Sequence, residues 1–124
     1  MEHKRPTRLL IGWLDWNIVW WDRQAWENQE DRERPWGTCD PGNRRISIRA
    51  DLEPHSLACC FAHEVAHAVA RQYGVYDTAV TPERAADMAS YWMVGFWRAN
   101  QDAFRWWVEV VLSEEPLQAQ SMEE

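Results

Sequence analysis

From Pro54 to Gly74 the chain runs without an internal proline or glycine, and this stretch constrains the fold more than any other. Proline suits the first helical position and glycine the residue just past a helix end, so residues 54–73 are predicted to form one helix of about five turns. Within it Leu57, Ala58, Phe61, Val65 and Val69 recur at helical spacing and make one apolar stripe. Such a stripe has to be covered, and the rest of the chain must supply the cover.

The preceding residues supply strands. Residues 8–22 mix Leu, Ile, Val and Trp around a break at 12–17, which predicts two short strands turning back on each other. Asp40-Pro41-Gly42-Asn43 is a strong turn sequence, and Arg45-Ile46-Ser47-Ile48-Arg49 alternates with the period of a half-buried strand. With residues 36–39 it makes a second hairpin. Between the hairpins, residues 23–34 are rich in Gln, Glu, Asp, Asn and Arg and read as a solvated loop or a short exposed helix. Thr81-Pro82 opens a second helix running to about residue 98 or 99, with Thr as cap and Pro as first helical residue. Asn100 and Gln101 are expected to bend or break it, and residues 102–112 read as a third helix before a tail that frays from about 113. The fold class expected is α+β: a small, mostly antiparallel sheet packed on the helix 54–73 and on one or two further helices.

A length of 124 residues fits one domain, residues 1–124, with a single core. The ten Trp enlarge what such a short chain can bury, so most are assigned to the core rather than to a partner surface. Thirteen basic against twenty acidic side chains give a net charge of -7, which disfavours nucleic acid and anionic membranes as partners. The apolar run Leu9–Leu14 is soon interrupted by Asp15, Asn17 and Asp22, so neither a signal peptide nor a membrane span is expected. Cys39, Cys59 and Cys60 are odd in number, and adjacent cysteines pair only with strain, which fits a reducing, cytoplasmic setting.

The chemistry lies in Phe61-Ala62-His63-Glu64-Val65-Ala66-His67. His-Glu-x-x-His on a helix puts both imidazoles on one face a turn apart, where two nitrogens can share one Zn²⁺. Glu64 follows the first ligand and can take a proton from an attacking water as general base. The bland alternative is an ordinary helix surface carrying two solvated His and a Glu. Catalytic zinc takes three protein ligands, and Glu83, sixteen residues after His67 in the first turn of the next helix, is the candidate third. Asp87, one turn further on, could orient a ligand imidazole. Each also has an ordinary reading, Glu83 as a first-turn carboxylate favoured by the helix dipole and Asp87 as a surface acid. For an oxyanion partner, Arg71 is preferred over Tyr73, Tyr76, Tyr91 and His55, because it lies seven residues after Glu64 on the same helix face. His3, His55 and Cys39 are left outside the metal site.

The order of Gly37-Thr38-Cys39-Asp40, Arg45-Ile46-Ser47-Ile48, His63-Glu64-Val65-Ala66-His67 and Glu83-Arg84-Ala85-Ala86-Asp87 resembles the minimal gluzincin-type metallopeptidases, small ImmA/IrrE-like proteins of bacteria and their phages. The resemblance spans residues 9 to 112, and its specific part is the two helices. It implies a zincin-like domain binding one zinc ion on His63, His67 and Glu83, with Glu64 as general base and a peptide or protein as substrate. The competing expectation is a catalytically silent zinc-containing module whose exposed aromatics hold a partner.

Overall fold

The computed structural model describes residues 3–29, 36–72, 81, 83, 86, 89, 90 and 92–113. The first hairpin pairs β1 (Arg8–Ile11) with β2 (Leu14–Trp21), Ile11 standing opposite Leu14. The turn is therefore the two residues Gly12 and Trp13. Gly12 has φ 65° and Trp13 does not have positive φ, the pattern of a type II′ turn, whose twist suits a hairpin. A short helix α1 (Arg23–Glu27) follows, its first turn capped by Asp22, which accepts the Ala25 N–H at 2.7 Å. The polar segment is thus helical over residues 23–27, with Asn28 capping the end, and its one large apolar side chain, Trp26, is buried at 1% exposure against Trp21.

The second hairpin joins β3 (Gly37–Asp40) to β4 (Arg45–Arg49) through a single 3-10 turn at Pro41–Asn43. Its two halves match the expectation, but their place in the sheet does not follow from local turns. The strand order is β1-β2-β4-β3, with β2 and β4 parallel at the centre and antiparallel pairs on either side. The sheet is mixed rather than simply antiparallel, because the chain crosses over through α1 and leaves β3 at the edge.

Alternation along the strands puts Leu9, Ile11, Trp16, Ile18, Ile46 and Ile48 on one buried face. Onto that face packs α2 (Pro54–Gln72), which starts at Pro54 as the sequence predicts. Leu57, Ala58, Phe61, Val65 and Val69, the predicted stripe, are all buried. The second predicted helix is helical wherever it is described, at Glu83, Ala86, Ala89 and Ser90. It passes through a π-helical turn at Trp92–Phe96 into α3 (Trp97–Ala99), and Asn100 separates this from α4 (Gln101–Leu112). Residues 114–124, the greater part of the predicted fraying tail, lie outside the described residues.

Several tryptophans knit these layers, as their number suggested. Trp106 meets Trp20 and Phe61 edge-on at 5.6 and 5.1 Å, and Trp107 stacks on Trp97 at 5.4 Å while donating its indole N–H to Ala58 O of α2 at 3.0 Å. Trp13 and Trp36 are exceptions, at 84% and 45% exposure. The N-terminal arm is tied down: His3 contacts the Glu109 carboxylate through its backbone N–H and Nδ1, and Arg5 lies 5.0 Å over the Trp20 ring. Among the described residues no helix is long and apolar enough to cross a membrane.

Candidate metal centre

One turn of helix separates His63 from His67, and their Nε2 atoms stand 3.1 Å apart, with ring centroids at 4.7 Å. Two imidazole nitrogens bound at ~2.0–2.1 Å to one tetrahedral ion would lie roughly 3.3–3.4 Å apart, so the pair already spans close to the distance a shared zinc needs. The Glu64 carboxylate completes a trio whose ligand atoms all lie within 4.8 Å of one another. Two imidazole nitrogens are donors that zinc takes readily.

The three side chains differ in exposure. His63 is exposed, His67 half-buried, and Glu64 is buried at 2%. The helix turns 100° per residue, so Glu64 leaves the open imidazole face and points under β3. Gly37 makes this possible. A Cβ built on Gly37 would meet Cys60 Sγ at 2.8 Å, Ser47 O at 3.0 Å and Glu64 Cγ at 3.2 Å, so only glycine lets the edge strand lie this close to the helix. The surface-helix alternative places Glu64 in solvent, and its burial does not fit that picture.

Two residues along β3, Cys39 faces the same side. Its thiol is pushed up to about 12, first by burial, then by the negative charges of Glu64 and Asp40, with Arg71 opposing. At neutral pH it is protonated. Arg71, in the last turn of α2, is exposed and near enough for its charge to be felt at Cys39, so it borders the Glu64 side of the helix. His55 lies two turns from His63, beside Cys59 rather than the imidazole pair.

The other predicted site residues stand as follows. Glu83 is helical and exposed, and it is outside the trio formed by His63, Glu64 and His67. Asp87, Tyr73, Tyr76 and Tyr91 lie outside the described residues. His3 is engaged with Glu109, away from the centre. Gly37 heads one of the stretches that carry the resemblance, but its close approach to Glu64 has no signal in the sequence beyond a glycine at the start of a strand. The chain matches no family model, no curated protein and no solved structure.

Proposed function

We propose that this chain is a zinc-dependent peptidase in which His63 and His67 hold the ion and Glu64 is the general base. The observation that carries the reading is the pairing of two imidazole nitrogens 3.1 Å apart with a carboxylate buried to 2% beside them. A buried carboxylate is costly unless chemistry or a partner requires it, and here it adjoins a ready metal pair. When bound, the ion supplies Lewis acidity toward a carbonyl and toward water. Glu64 takes the proton of the attacking water and delivers it to the departing amine nitrogen, so one group serves as base and then acid. Burial under β3 fixes its direction. In this reading Glu83 is the third ligand and Asp87 orients a ligand imidazole, while Arg71, whose charge is felt at Cys39, serves the developing oxyanion.

The sheet supports a peptide as substrate. Trp36 O accepts the Arg49 N–H at 2.9 Å, which makes 36 and 49 a hydrogen-bonded pair; alternation then turns the N–H and C=O groups of Gly37 and Cys39 away from β4. Among the described residues no strand pairs with that side of β3. An extended peptide added there would run beside the residues covering Glu64.

Elemental analysis of the purified parent, His67→Ala and Glu83→Ala tests the site. Near-stoichiometric zinc in the parent and its loss in both variants are expected. A parent that holds no zinc after reconstitution overturns the reading and favours the aromatic interaction module.

A further inference from the structure

The exposed ridge of α2 carries more ligands than one zinc site uses. His55, Cys59, His63 and His67 follow one another at intervals of four residues, so all four stand on one side of the helix. His55 and Cys59 are both exposed, and Cys59 Sγ lies 3.8 Å from His55 Nε2. A tetrahedral ion bound at ~2.3 Å to sulfur and ~2.0 Å to nitrogen would hold these atoms roughly 3.5 Å apart. The pair therefore sits within a few tenths of an ångström of a chelating span, as His63 and His67 do.

We propose that His55 Nε2 and Cys59 Sγ form a second metal site on α2, distinct from the His63–His67 pair and selective for soft cations such as Cd²⁺ or Cu⁺ over Zn²⁺. The midpoints of the two pairs are eight residues apart, about 12 Å along the helix at 1.5 Å per residue, which is too far for one ion or for a bridged pair. A thiolate ligand makes this site softer than the imidazole–carboxylate trio, so the two sort metals by type. On binding, the Cys59 thiol gives its proton to solvent and its sulfur lone pair to the cation, with no change of oxidation state. Water fills the remaining positions, so occupancy falls as pH falls.

The other cysteines are unsuited to this role. Cys60 is buried at 5% in the core beneath Gly37, and Cys39 keeps its proton under β3. Cys59 alone of the three is exposed, and it has an imidazole at its side. The site stands whether or not the His63–His67 centre hydrolyses anything.

Titration of the metal-free, full-length chain with Cd²⁺ alone, followed by thiolate-to-metal charge-transfer absorption, tests the proposal. One thiolate-bound equivalent is expected in the parent, and its absorption disappears in Cys59→Ser. His55→Ala should weaken binding by at least about tenfold, since a direct ligand outweighs the orienting partners whose loss already has that effect. The double variant His63→Ala/His67→Ala should keep the absorption with unchanged affinity. Both target residues are exposed, so the variants are expected to fold, which circular dichroism checks. Absorption that survives in Cys59→Ser, affinity that ignores His55→Ala, or loss of the signal in the double variant would each overturn the second site.

Discussion

Gly37 lies directly over Glu64: a Cβ on Gly37 would stand 3.2 Å from the Glu64 Cγ, with Cys60 Sγ closer still at 2.8 Å. The contact binds the edge of the sheet to the buried carboxylate of the candidate centre. Its position depends on strand β3 and helix α2 together, since neither element alone brings the two residues into register.

Gly37→Ala should therefore destabilise the fold and disturb the centre at once. The new methyl group meets a backbone carbonyl at 3.0 Å as well as Cys60, and overpacking of this kind costs about 1–3 kcal/mol. Thermal unfolding should show a lowered Tm and metal analysis a reduced zinc content. Adding Cys60→Ala removes the nearest obstruction but leaves Ser47 O, so the double variant should recover part of the lost stability. Full additivity of the two changes would show that the contact is not made.

Glu64→Gln keeps the size and much of the polarity of the buried side chain while removing its ability to take a proton. Zinc content should match the parent, and peptide hydrolysis should fall by roughly 10²–10⁴-fold, the range of a lost general base. Hydrolysis by this variant at the parent rate would remove Glu64 from the mechanism. Loss of zinc would instead make Glu64 a ligand, which its membership of the trio also allows in distance.

The centre was legible in the sequence where its geometry is local. His63 and His67 meet because four residues make about one turn, and the Pro54 start signal and the apolar stripe sufficed to place that turn on a buried helix. The strands were legible for the same reason, since alternation and turn residues act over a few positions. What depended on long-range packing was not. The parallel pairing of β2 with β4 arises from a crossover that no turn signal encodes, and it puts β3 at the edge over α2. The burial of Glu64 follows from that placement. Trp26 reads as part of a polar run because its cover, Trp21, belongs to the preceding strand.

Cys39 links pH to stability. Its thiol is raised from 9.0 to about 12 in the fold, mainly by burial and then by Glu64 and Asp40. The folded state therefore holds the proton more tightly than the unfolded chain. The contribution is fully present below pH 9 and is lost as pH climbs from about 9 toward 12. Denaturant unfolding across that window should show stability falling in the parent, with a shallower fall in Cys39→Ser. An equal slope in both proteins would mean that the thiol is not held this way. Alkylation at neutral pH should reach exposed Cys59 well before Cys39, as peptide mapping would show.

Asn100 closes the opposite edge of the sheet. Its side-chain oxygen accepts the Leu10 N–H at 2.7 Å, and its amide nitrogen donates to Leu10 O and Phe96 O, both at 2.8 Å. Leu10 belongs to β1, so one side chain occupies the donor and acceptor that would otherwise be offered to another strand. The residue expected only to break a helix thus also seals a sheet edge. Asn100→Ala removes all three bonds and should cost about 1–3 kcal/mol, read as a lower denaturation midpoint. It also bares Leu10, which is 38% exposed, so the variant should self-associate at concentrations where the parent does not, as light scattering would show. Asn100→Asp keeps the acceptor for Leu10 N but turns a carboxylate toward two carbonyl oxygens. It should be at least as unstable as the alanine variant while resisting association through its added charge. An aspartate variant as stable as the parent would show that the two bonds donated by the amide contribute nothing to holding α3 and α4 against β1.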